Sequence, residues 1–157
     1  MQSTSAPIPL RRAGSGSQPA GLALSSSSAA LRIDLRPRVL IVDDCRFIAE
    51  RLARTFEARG YETQLAGDGL AALAAIEAED FDMFVLDIDI PCMDGFKVLR
   101  SLRLEPAHAS APVLMLGASN SQADRIRAVA LGANGYLAKP LQIGPLHAML
   151  DSLSTLR

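Results

Sequence analysis

Four charged residues stand where apolar runs stop. Asp43 and Asp44 follow RVLIV (38–42), Asp87 closes FDMFVLD (81–87), and Lys139 follows NGYLA (134–138). Like charges gathered in a half-buried place repel, so three such carboxylates need compensation. A hard divalent cation supplies it. Mg²⁺ takes oxygen ligands, uses one or two carboxylates and keeps several waters. Lys139 adds a compact positive charge. A carboxylate held between a cation and an ammonium is placed to attack a phosphoryl group, and the same charges would neutralise the acyl phosphate formed. The plain alternative is that Asp43 and Asp44 cap a helix and Asp87 caps a loop. Four charged residues at three strand ends argue against it.

That convergence requires a particular scaffold. RVLIV is a continuous apolar, β-branched run, the pattern of a strand covered on both faces. Phe47, Ile48, Arg51, Leu52, Thr55, Phe56 and Arg59 follow at helical spacing, and Gly60 ends that helix. YETQLA (61–66) reads as a second strand, and Leu70, Leu73, Ala74 and Ile76 as a helix after Asp68. After FDMFVLD, a loop with Pro91 and Gly95 leads to a helix bearing Phe96, Val98, Leu99 and Leu102. PVLML (112–116) is the fourth strand, followed by a helical face of Ile126, Val129 and Ala130. NGYLA is the fifth strand, and Leu146, Met149, Leu150 and Leu153 mark the last helix. Five strand–helix alternations predict a parallel sheet with helices on both faces. In such sheets the loops at the carboxyl ends of the strands form the site, which is where the four charges fall.

Composition narrows the function. Apolar residues make up 49% of the 157, enough to build a core, and aliphatic side chains must fill it because there is no Trp. Residues 1–36 hold four Arg against one Asp, whereas 37–157 hold twelve basic against sixteen acidic residues. An acidic folded part argues against direct DNA binding through phosphates. No apolar run reaches the ~18 residues of a membrane span. Cys45 and Cys92 have no metal-like spacing and read as reduced thiols of a cytoplasmic protein. His108 and His147 are isolated and read as surface or helix residues. Residues 1–36, with Ser25 to Ser28 in a row and several Gly and Pro, read as a disordered extension ahead of a domain over 37–157. Their Arg and Ser content also fits a transit peptide, whereas a secretory signal lacks its apolar core.

VDD at 42–44, LDIDIPCMDG at 86–95 and KP at 139–140 resemble, in order and spacing, the receiver domain of two-component response regulators. The resemblance covers residues 38–156. It implies a flavodoxin-like doubly wound five-stranded parallel sheet of strand order 2-1-3-4-5. It implies that Asp87 is the phosphoacceptor and Asp44 a direct Mg²⁺ ligand, with Asp43 acting through water and the Asp89 backbone carbonyl completing the set. Lys139 would contact the phosphoryl oxygens, the Lys139–Pro140 bond would be cis, and Tyr136 would be the switch aromatic. The implied partners are a histidine kinase or histidine phosphotransfer protein upstream, and a protein contact through the fourth helix, fifth strand and fifth helix. No enzymatic turnover is implied beyond self-phosphorylation from a phosphodonor and slow hydrolysis.

The chain departs from that family at three places. Gly117 stands where the family has Thr or Ser, whose hydroxyl approaches the phosphoryl group while the switch aromatic turns inward. Glycine cannot form that charge-assisted bond. Ser119, two residues on, lies where side chains influence acyl-phosphate hydrolysis and is not expected to reach the switch position. Asp89 adds a carboxylate at the rim, as a solvated loop residue, a repulsive charge or a resting partner of Lys139. Cys45 follows the acidic pair as a small half-buried residue. Two other functions compete. One is a receiver-like binding module freed from phosphate, motivated by Gly117. The other is a haloacid dehalogenase-type phosphatase using Asp87 and Asp89, against which the order of motifs speaks. A dinucleotide site is excluded, since no GxGxxG follows the first strand.

Overall fold

The computed structural model describes residues 35–156. The extension expected over 1–36 therefore lies, up to residue 34, outside the described residues. The elements alternate as β1 (Arg38–Val42), α1 (Arg46–Glu57), β2 (Glu62–Ala66), α2 (Gly69–Ala78) and β3 (Met83–Asp87). They continue as α3 (Gly95–Leu104), β4 (Val113–Gly117), α4 (Gln122–Ala130), β5 (Gly135–Ala138) and α5 (Ile143–Ser154). All four strand pairings are parallel, in the order β2-β1-β3-β4-β5.

The period of two along the strands divides the core. Leu40, Val42, Phe84, Leu86 and Met115 face a cluster closed by Ala72 and Ile76 of α2, Phe96, Leu99 and Leu102 of α3, and Ala128 of α4. Val39, Ile41, Met83, Val85, Leu114 and Leu116 face the other cluster, closed by Leu52 and Phe56 of α1 and Leu146, Leu150 and Leu153 of α5. Each Val, Leu, Ile, Phe or Met among them, fully buried, contributes about 1.5–3 kcal/mol. β3 and β4 are buried at every residue, which explains the apolar runs MFVL and VLML that precede Asp87 and Gly117.

Helix starts follow local chemistry. Asp68 accepts from Ala71 N at 2.8 Å, Asp94 from Lys97 N at 3.0 Å and Ser121 from Asp124 N at 3.2 Å. After α1 the chain turns at Gly60, whose φ of 86° suits glycine. Tyr61 lies outside β2 and packs edge-on against Phe56 at 5.2 Å. β3 begins two residues later than its apolar run, because Phe81 N is directed to His108 Nε2 at 3.2 Å. His108 thereby corrects the expectation of a surface or helix residue. It lies in the α3–β4 loop, 1% exposed, and meets Phe84 edge-on.

Arg103 of α3 ties down the approaches to two strands. Its guanidinium donates to the carbonyls of His108 at 3.1 Å, Ala111 at 2.8 Å and Gly132 at 2.7 Å, and to Asn134 Oδ1 at 3.1 Å. The same Oδ1 accepts from Val113 N at 2.9 Å, so the starts of β4 and β5 are fixed together. Arg103→Ala leaves several carbonyls without a donor and is expected to cost roughly 1–3 kcal/mol in urea unfolding. Arg103→Lys is expected to recover only part of that loss, because a point charge does not reproduce the planar fork.

Candidate functional site

Register brings the charges together. Val42 is level with Leu86, Asp87 with Leu116, and Gly117 with Ala138. Asp43 and Lys139, each one residue past its strand, therefore sit beside Asp87. Asp43 and Asp87 share the parity of Ile41 and Val85, and Lys139 that of Leu137, so all three lean toward the α1/α5 side of the sheet edge. A slip of one residue would turn them away.

Lys139 Nζ lies 2.7 Å from Asp43 Oδ2 and 3.0 Å from Asp87 Oδ2. Both aspartates are 3% exposed. Asp43 Oδ1 accepts from Cys45 N at 2.8 Å, whereas its buried Oδ2 accepts no well-aligned hydrogen bond and has the ammonium as its compensation. Asp87 Oδ1 receives a long contact of 3.4 Å from Asp89 N. Burial pushes the Asp87 carboxyl above the ordinary aspartate range. Lys139 opposes that shift and Asp43 adds to it. For Lys139, burial works downward, but the contacts with Asp43 and Asp87 outweigh it and the net direction is up.

Asp44 is exposed, and one carboxylate oxygen each from Asp43, Asp44 and Asp87 lie within 4.8 Å of one another. This donor set is all oxygen and fits a hard cation such as Mg²⁺ rather than a soft metal. The helix-cap alternative does not hold for Asp43 and Asp44: the residue at the start of α1 is Cys45, and no side chain caps that helix. Cys45 is exposed rather than half-buried, as is Cys92.

The β3–α3 loop folds back tightly on the site. Gly95 N donates to Ile88 O at 2.9 Å, and a Cβ on Gly95 would overlap the Asp87 carbonyl oxygen and come within 2.9 Å of its carbon. Only glycine permits that return. Asp89 is exposed and makes no ion pair with Lys139, which corrects the resting-partner reading: the ammonium is taken by Asp43 and Asp87. The Lys139–Pro140 bond is cis, as the resemblance implied.

Gly117, the last residue of β4, lies beneath the ring of Tyr136. A Cβ on Gly117 would overlap Tyr136 Oη and stand 2.7 Å from Cζ. The ring is 3% exposed, and its hydroxyl donates to the Ser119 carbonyl at 2.9 Å. Arg125 of α4 covers it at 5.2 Å from guanidinium carbon to ring centroid. Burial of a ring is worth about 2 kcal/mol, the hydrogen bond about 1 and the cation–π contact about 0.5–1. Ser119 enters through its backbone, its side chain being at the exposed rim. Nothing in one sequence signals Arg125, since a helical Arg reads as solvated surface.

A doubly wound parallel sheet with acidic residues at the ends of β1 and β3, and a lysine and cis-proline after β5, defines a receiver-type domain. The chain belongs to the response regulator receiver domain family, which matches residues 39–151. It is 39% identical over 117 residues to the transcriptional activator protein PfeR of Pseudomonas aeruginosa, covering 74% of this chain and 37% of that protein. It is 38% identical over 116 residues to the response regulator MprA of Mycobacterium avium, covering 74% of this chain and 50% of that one. The chain thus spans half or less of the length of these relatives. Among solved structures, the chemotaxis protein CheY4 of Vibrio cholerae superposes with a TM-score of 0.70 at 32% identity, over 75% of this chain and 98% of that one. A receiver domain from Francisella gives 0.68 at 34%, over 76% and 97%. This family membership leaves the haloacid dehalogenase-type reading without support.

Because burial raises the Asp87 pKa, its ionised form opposes folding. A raised carboxyl pKa contributes stability below the unfolded value, near 4, that is lost as pH rises through the folded value. In chelator at neutral pH, Asp87→Asn is therefore expected to melt above the parent, with the gap closing toward pH 4. Thermal unfolding across that range checks the sign.

Proposed function

We propose that the chain is a phosphoacceptor module of a two-component phosphorelay, with Asp87 as the acceptor. One observation carries it: three carboxylates and a single ammonium converge at one sheet edge, leaving a charge deficit that a divalent cation closes. Asp44, Asp87 and the Asp89 carbonyl would hold Mg²⁺, with Asp43 acting through water. When bound, the ion supplies charge neutralisation for phosphoryl oxygens. Lys139 is placed to move from its carboxylate partners to those oxygens. An Asp87 carboxylate oxygen attacks phosphorus, the P–O bond forms, and the P–N bond of a phosphohistidine breaks with its electron pair leaving on the imidazole nitrogen.

Surface features support protein partners. Between α1 and α5, beside Pro140, runs an apolar groove lined by Phe47, Ile48, Leu52, Leu141 and Ile143. Phe47 and Ile143 are 68% and 67% exposed, a place for a histidine kinase or histidine phosphotransfer protein to bring its phosphohistidine to Asp87. On α4 only Ala128 is buried, and Ile126 and Val129 are exposed, which suits a downstream protein contact through α4, β5 and α5. No helix among the described residues is long and apolar enough to cross a membrane, in keeping with a cytoplasmic role.

Incubation with Mg²⁺ and acetyl phosphate is expected to add one phosphate to the parent, read by intact mass, and none to Asp87→Asn. Chelation should prevent the adduct. An adduct on the variant, or none on the parent with Mg²⁺ bound, overturns the assignment. Asp44→Asn is expected to weaken Mg²⁺ binding by at least about tenfold in titration calorimetry, the size of effect that even outer-shell changes produce.

A further inference from the structure

Tyr136 is seated where a side chain at position 117 would have to be. A Cβ there overlaps the phenol oxygen and stands 3.2 Å from Cε2, so the ring holds this seat only because position 117 is glycine. Three contacts hold the ring: the cluster on the α2/α3/α4 side of the sheet, the Ser119 carbonyl in the β4–α4 loop, and the Arg125 guanidinium on α4. Arg125 is itself anchored, donating to Asn120 Oδ1 at 2.8 Å in the same loop. The loop, the first turns of α4 and β5 are thereby joined through one ring. Gly117 offers a phosphoryl group on Asp87 only backbone, so no side chain at position 117 links that group to the ring.

We propose that Gly117 and Tyr136 form a permanently closed latch, which holds the surface built on α4 and β5 in one arrangement whether or not Asp87 carries a phosphoryl group. The second half rests on Asp87 being the acceptor; the first half does not. A partner recognising this surface would then bind the resting and phosphorylated chains alike. In that respect the protein differs from one in which a side chain at position 117 competes with the ring for the same space.

Fluorine NMR of the protein labelled with 3-fluorotyrosine tests both halves. The chain has two tyrosines, so two lines appear, and Tyr136→Phe assigns them. In the parent, the Tyr136 line is expected to show little solvent isotope shift. It should stay within its linewidth when Mg²⁺ and beryllofluoride, a mimic of the acyl phosphate, are added. Gly117→Thr should move the line toward that of exposed fluorotyrosine and make it respond to beryllofluoride. If that variant does not fold, Gly117→Ala carries the same overlap in a smaller side chain and should displace the line as well. A solvent-exposed Tyr136 line in the resting parent, a line that moves on beryllofluoride binding, or one untouched by Gly117→Ala overturns the latch. Bound beryllofluoride gives its own fluorine signals in the same spectrum. Their absence in the presence of Mg²⁺ counts against the acceptor assignment alone, while the resting spectra still decide the seat of Tyr136.

Discussion

The Lys139 ammonium, set between Asp43 and Asp87, is the contact on which the rest of this structure turns. Two carboxylates at the dry end of a parallel sheet repel, and each loses hydration that water would have supplied. One ammonium satisfies both only if three strand ends meet within hydrogen-bonding distance. That requirement reaches into the whole sheet, because the positions of Asp43, Asp87 and Lys139 follow from pairings along β1, β3, β4 and β5. Compensation remains incomplete: the Asp87 carboxyl is still pushed upward by burial, and Asp44 adds a further negative charge. A site left with this imbalance is poised for a cation and for an anionic group bound beside it.

The scaffold was legible because both of its periods are strong. Runs such as MFVL and VLML have no polar interruption, the pattern of a strand covered on both faces. Edges were less so. Tyr61 and Phe81 look like strand residues by composition, yet each is drawn off by a neighbour, Tyr61 onto Phe56 and Phe81 onto His108. His108 illustrates the general difficulty. Its burial depends on two phenylalanines brought to it by other elements, and an isolated histidine in a polar loop carries no local sign of them.

For the candidate site, residue type and spacing located Asp43, Asp44, Asp87 and Lys139, since charges that interrupt apolar runs are conspicuous. What spacing does not convey is which charge pairs with which. Asp89 lies two residues from Asp87, but its side chain turns to solvent while its backbone N–H turns inward. The chain bends at residues 88 and 89 instead of continuing β3, so the spacing of two no longer keeps the Asp89 side chain on the face of Asp87.

With Asp87 as the proposed acceptor, Gly117 would alter the energetics of signalling more than its size suggests. A bound group shifts a conformational equilibrium only by as much as its contacts differ between the two states. A hydroxyl at the end of β4 would provide such a difference, being near a phosphoryl group in one state and away from it in the other. With glycine that term is gone, and the vacated space is occupied by Tyr136, whose bonds to Ser119 and Arg125 favour the seated state without reference to Asp87. Glycine at this position thus does two things at once: it provides no side chain to reward movement, and it leaves open the volume that the ring fills. On the proposed reading, phosphoryl chemistry at one sheet edge and the shape of the α4–β5 surface would be separate properties of the same domain, with no side chain at position 117 to join them.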